Sequence, residues 1–117
     1  MAPEKRILIA EDDASTRDAW NELVASWGYG VKAVPDGNQA LAALKTFDPH
    51  IVLLDLMMPG KSGLEVLEAI RALGLDFISI VISGEGDIPE AVKAIQLGAY
   101  DFLRKPVAPE QLRVLLA

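Results

Sequence analysis

The chain has 117 residues, 51% of them hydrophobic, with 17 acidic against 11 basic side chains and a formal net charge of −6. That length and apolar content suit one compact domain, and the acidic balance repels a polyanion and leaves no basic stripe for direct nucleic-acid contact. The chain has no cysteine, which excludes disulfides, thiolate metal sites and cysteine nucleophiles and makes a cytoplasmic setting the default expectation.

The segment from Met1 to Arg6 is polar, and the apolar runs that follow are far shorter than the roughly 20 residues needed to cross a bilayer, so neither a signal peptide nor a membrane span is expected. Five short β-rich runs are present, at Arg6 to Ala10, Gly30 to Val34, Ile51 to Leu54, Phe77 to Ile82 and Tyr100 to Leu103. They alternate with segments of helical period beginning near Ala14, Gly37, Gly63, Ile88 and Pro109. The third and fourth runs are nearly continuous Ile, Val and Leu, as in strands buried on both faces.

End signals support this division. Asp36 with Gln39, and Asp87 with Glu90, have capping-box spacing; Pro109 suits a first helical turn; Gly28, Gly74 and Gly98 fall where helices should stop. Connections are short, and no composition shift, repeat or low-complexity tract marks a second domain. The expected fold class is α/β, a (βα)5 doubly wound five-stranded parallel sheet. Right-handed crossovers favour the flavodoxin-like strand order 2-1-3-4-5.

In an open parallel sheet the ligand crevice lies beyond the carboxyl ends of the strands. There the first run is followed by Glu11-Asp12-Asp13, the third by Asp55, the fourth by Ser83, and the fifth, after Arg104, by Lys105 before Pro106. Carboxylates that converge on one crevice repel one another, and a hard divalent cation relieves that repulsion. With oxygen donors and neither His nor Cys among these residues, Mg²⁺ is the expected ion. Lys105 adds a second positive charge and Ser83 a hydroxyl donor for a phosphoryl oxygen. An acid nucleophile beside metal, ammonium and hydroxyl describes phosphoryl transfer to a carboxylate.

From about Lys5 to its end the chain resembles the response regulator receiver domains of two-component signalling. The likeness is carried by "RILIAEDDASTR", "HIVLLDLMMPGKSGLEVL", "ISIVISGEGD" and "AIQLGAYDFLRKP" in the family's order and approximate spacing. The resemblance implies that Asp55 is the phosphoacceptor and a metal ligand, that Asp12 binds Mg²⁺ directly and Glu11 through water, and that the main-chain carbonyl of Met57 is a further ligand. It implies that Ser83 is the switch hydroxyl, Phe102 the switch aromatic and Lys105 the partner of the phosphoryl group, with Pro106 often joined to the lysine by a cis peptide in this family. Glu85, two residues after Ser83, is a less standard acid beside the site, expected to modulate phosphate lifetime.

The implied partner is a sensor histidine kinase or a phosphotransfer protein, whose phosphohistidine supplies the phosphoryl group. The implied output is a changed surface on the fourth helix, fifth strand and fifth helix, which also offers a phosphorylation-dependent homodimer face. The segment from Ser83 to Pro106 most resembles receivers of nitrogen-regulation activators that drive the sigma 54 polymerase. Residues 1–117 are thus expected to form one receiver domain, the N-terminal part of a longer regulator.

Plainer roles compete at each position. Asp13 and Asp36 read as helix caps, Trp20 and Trp27 as packing residues, and His50 as a surface histidine. Ser83 could be a small loop residue and Phe102 simple core, and an isolated Lys105 would be surface charge; the shared crevice favours the functional reading. Three rival functions are disfavoured. A phosphatase of the haloacid-dehalogenase type needs a second Asp where Met57 stands, a flavodoxin-like cofactor binder needs a Ser/Thr-rich loop where Glu11, Asp12 and Asp13 stand, and a phosphate-independent module usually lacks part of the set present here.

Overall fold

The computed structural model describes residues 5–58, 62–74, 78–84, 88–105 and 107–116. Its elements run β1 (Arg6–Ala10), α1 (Ala14–Ser26), β2 (Gly30–Val34), α2 (Gly37–Thr46), β3 (Ile51–Asp55), α3 (Gly63–Ala72), β4 (Ile78–Ser83), α4 (Ile88–Gln96), β5 (Asp101–Arg104) and α5 (Pro109–Leu116). All strand pairs are parallel, in the order β2-β1-β3-β4-β5. This is the expected (βα)5 doubly wound, flavodoxin-like sheet, with the helices starting at the expected Ala14, Gly37, Gly63, Ile88 and Pro109. No helix among the described residues is long and apolar enough to cross a membrane.

Strand side chains alternate between faces, and each face feeds its own core layer. Leu8, Ala10, Val52, Leu54 and Val81 pack with α2, α3 and α4. Ile7, Ile9, Leu53, Ile80 and Ile82 pack with α1 and α5. β1 and β3 are buried along almost their whole length, so the run of Ile, Val and Leu satisfies both layers at once. Trp20 and Trp27 belong to the second layer, as packing residues.

The limits of three strands shift by one residue. β3 and β4 extend to include Asp55 and Ser83, because both continue the ladder, Asp55 in register with Ile82 and Ser83 with Arg104. β5 runs Asp101–Arg104, one residue later than expected; Tyr100 is exposed, and its N–H donates to the Ser79 carbonyl at 2.7 Å as the strand enters the sheet. Phe77, the expected start of β4, lies outside the described residues.

Asp13 caps α1, and Asp36 caps α2 by accepting from the Gln39 N–H at 2.8 Å. The Gln39 side chain donates to the Asp36 carboxylate rather than to its backbone, so this cap is not a reciprocal box. A full box is formed instead at α3, between Ser62 and Glu65. The expected box of Asp87 and Glu90 lies partly outside the described residues. Gly28, Gly74 and Gly98 all take positive φ just after a helix, as stop signals of this type require.

Candidate functional site

Backbone hydrogen bonds carry the sheet one step past its strands and fix where the polar residues emerge. The Glu11 N–H donates to Val34 O at 3.0 Å, Leu56 N–H to Ile82 O at 3.0 Å, and Lys105 N–H to Ser83 O at 2.9 Å. Glu11, Asp55 and Lys105 therefore meet at one edge. Lys105 Nζ donates to Asp55 Oδ2 at 2.9 Å and lies 3.0 Å from Glu11 Oε1. The two carboxylates are almost wholly buried, while the lysine is about one-third exposed (36%).

Each acid is aimed by its own loop. Glu11 Oε2 accepts from the Asp13 N–H at 3.1 Å, and Asp55 Oδ1 accepts from the Met57 N–H at 3.0 Å. Asp12 is exposed, yet one oxygen from each of Glu11, Asp12 and Asp55 lies within 4.8 Å of the others. Glu11 Oε1, though at ion-pair distance from Lys105, has no partner in hydrogen-bond geometry among the described residues. A buried acceptor with spare capacity beside two further carboxylates is a donor set that fits a hard cation. The side chain of Met57 is exposed, so only its backbone faces this question.

Burial pushes the Glu11 carboxyl up to about 7, and contacts with the Asp55 and Asp12 carboxylates add to the rise; the Asp13 N–H and Lys105 oppose it. For Lys105, burial alone would lower the ammonium pKa, but hydrogen bonds and charge from Asp55 and Glu11 outweigh it and hold the value raised. The ammonium is thereby locked in its charged form. Asp13 is held below the usual carboxylate range chiefly by the Thr16 hydroxyl and N–H, in keeping with a cap rather than a ligand.

Ser83 is fully buried, and its hydroxyl has no hydrogen-bond partner among the described residues. It shares a sheet face with Val81, whose register partner is Phe102. Phe102 is half-buried against the layer of α2, α3 and α4, beside a cleft of about 560 Å³ that it lines with Leu103, Gln111 and Val114. Glu85 and Pro106 lie outside the described residues.

Two contributors are not apparent from residue type. Gly63 opens α3 directly beneath the Asp55 turn, where a Cβ would stand 2.6 Å from Asp55 O and 2.7 Å from Leu56 Cα. Its N–H also donates to Leu56 O at 3.1 Å. Ser62-Gly63 followed by Glu65 was a readable helix start, but the close approach depends on how the turn folds back. The other is Arg17, whose guanidinium reaches back to the carbonyls of Glu11 and Asp12.

An open (βα)5 sheet with three carboxylates and a lysine at its carboxyl edge defines a module able to hold a cation and an anion side by side. The chain belongs to the response regulator receiver domain family, which matches residues 7–117. Receiver domains are the phosphoacceptor switches of two-component signalling. The chain is 37% identical over 116 residues to the transcriptional regulatory protein FixJ of Bradyrhizobium diazoefficiens, covering 99% of this chain and 57% of that protein. It is 38% identical over 112 residues to the C4-dicarboxylate transport transcriptional regulatory protein DctD of Rhizobium meliloti, covering 96% of this chain and 24% of that one. Among solved structures, the receiver domain of NtrX from Brucella abortus superposes with a TM-score of 0.88 at 33% identity, covering 94% of this chain and 93% of that domain. The chain thus spans about half of one curated relative and a quarter of the other.

Gly63→Ala should cost about 1–3 kcal/mol of unfolding free energy in urea, because the Asp55 turn must shift to admit the methyl group. An unchanged transition would mean that the turn yields freely. Glu11 sets a second expectation. Its folded pKa of about 7 exceeds the ordinary 4.5, so the stability it contributes is fully present below about 4.5 and lost as pH rises through about 7. In chelator, the melting temperature of the native protein should therefore fall relative to Glu11→Gln across that window. Parallel pH profiles for the two proteins would contradict this.

Proposed function

We propose that Asp55 accepts a phosphoryl group from the phosphohistidine of a sensor histidine kinase or phosphotransfer protein. The observation that carries this reading is the buried Asp55 carboxylate, paired with Lys105 at 2.9 Å and flanked by two further acids. A carboxylate oxygen of Asp55 attacks phosphorus, and the P–N bond breaks with its electron pair passing to the imidazole, which is left neutral or takes a proton from solvent. The product is an aspartyl phosphate. Lys105, with its ammonium locked in the charged form, follows the negative charge from the carboxylate to the phosphoryl oxygens.

Asp12, Asp55, the main-chain carbonyl of Met57 and, through water, Glu11 would hold Mg²⁺. When bound, the ion supplies charge neutralisation for the transferring group. The domain assists its own phosphorylation and dephosphorylation and otherwise acts as a switch. The Ser83 hydroxyl, buried with no hydrogen-bond partner among the described residues, is available to donate to a phosphoryl oxygen, and the space it leaves lets Phe102 turn inward. Ser83 and Phe102 lie on the same face of adjacent strands, which supports that coupling.

The output is a change in the α4-β5-α5 surface, where Val92, Ile95, Tyr100 and Val114 are exposed. An apolar face of this kind supports a phosphorylation-dependent homodimer. Likeness over part of the length of longer proteins named as transcriptional regulators supports a receiver within a longer transcriptional regulator, and we place it at the N-terminal end of a cytoplasmic one. The segment from Ser83 to Pro106 favours the nitrogen-regulation type that works with sigma 54 polymerase.

Intact mass after incubation with acetyl phosphate and Mg²⁺ should show a labile gain of about 80 Da, absent in Asp55→Asn and absent with chelator. No gain in the native protein would refute the acceptor assignment. The switch has its own readout. Phosphorylated and free protein should differ in the backbone amide spectrum at Ser83 and Phe102, and identical spectra there would remove it.

A further inference from the structure

The β1–α1 loop carries Glu11 and Asp12, and it is tied to the first turns of α1 by a closed circuit of hydrogen bonds. Glu11 Oε2 accepts from Asp13 N–H; Asp13 Oδ2 accepts from Thr16 N–H at 2.9 Å and from the Thr16 hydroxyl at 2.6 Å. The circuit is closed by Arg17. Its Nη1 donates to Glu11 O at 3.0 Å and more weakly to Asp12 O at 3.4 Å. One half-buried guanidinium thus spans two successive carbonyls of the loop that presents the acids.

The choice of partner atoms matters. An arginine beside a cluster of carboxylates would ordinarily take them as bidentate partners. Among the described residues the guanidinium of Arg17 donates instead to main-chain oxygens, so its charge offsets the acids while their carboxylate oxygens stay available. Glu11 and Asp55 are walled in by the core, but Asp12 is exposed, and the aim of its carboxylate depends on the peptide from which it hangs. Fixing the carbonyls on both sides of the Asp12 α-carbon fixes that peptide.

We infer that Arg17 is a positioning residue for the cation site, setting the backbone that aims Asp12 and supplying countercharge without competing for ligand atoms. The inference rests on the Mg²⁺ reading above. Outer groups that orient ligands typically contribute 10–100-fold to metal affinity. Both contacts come from the one nitrogen Nη1; lysine at this position keeps the charge but lacks the longer planar guanidinium that carries this nitrogen to the two carbonyls.

The test is an amide NMR titration of the metal-free protein with MgCl₂, following the Asp12 and Asp13 signals in native protein, Arg17→Gln and Arg17→Lys. Thermal melts without metal accompany each titration. The expected result is a Kd raised by roughly tenfold or more in Arg17→Gln and by an intermediate factor in Arg17→Lys. The shifts of the Leu53 and Ile80 amides, deep in the sheet, should stay at native positions. Equal Mg²⁺ affinity in all three folded proteins would overturn the inference and leave the metal reading intact. Absence of Mg²⁺ binding by the native protein would overturn both. Should Arg17→Gln fail to fold, Arg17→Lys decides alone: a raised Kd in it would support the positioning role, and a native Kd would overturn it.

Discussion

Everything at the carboxyl edge of this sheet depends on keeping two buried carboxylates, Glu11 and Asp55, beside a single ammonium. Buried charge is costly unless it is paired and hydrogen-bonded. Lys105 answers part of that cost by reaching both acids at about 3 Å. It answers only part, as the raised Glu11 pKa records. The residual tension persists because a sheet buried on both faces leaves the acids nowhere to relax.

Three backbone devices hold that arrangement. Hydrogen bonds beyond the strand ends place the side chains, Gly63 brings α3 against the Asp55 turn, and Arg17 with Asp13 and Thr16 ties the acid loop to α1. The first two layers of packing thereby become part of the chemistry. A receiver is a switch, and the proposed movement lies elsewhere. Ser83, buried with no hydrogen-bond partner among the described residues, and Phe102, beside a cleft, face the layer that contains α4. Under the proposed switch, a ligand that rewards one arrangement of these two side chains shifts the population toward it.

Much of this was legible in the residues. Alternation of apolar runs with helical periods, the Asp36 cap and the three glycine stops gave the order and starts of the elements, because those signals are local. Polar residues at successive run ends gave the crevice, because parallel strands with right-handed crossovers bring their carboxyl ends to one side. Strand limits at Asp55, Ser83 and Arg104 were off by one residue. Ladder bonds with a neighbouring strand decide those limits, and a single strand's sequence does not contain them.

By itself, then, the sequence determined the (βα)5 architecture, the strand order and the set of residues that meet at its edge, since periodicity, capping and chain chirality suffice for that. Tertiary structure alone decided how those residues meet. Glu11 became a fully buried acid while Asp12, its neighbour, stayed exposed; Lys105 found both Glu11 and Asp55; Gly63 proved to be a contact and not only a helix start. Arg17, on the first helix, turned back to the loop before it. Each of these depends on distances between segments far apart in the chain or across a turn, and no local preference of the residues encodes such distances.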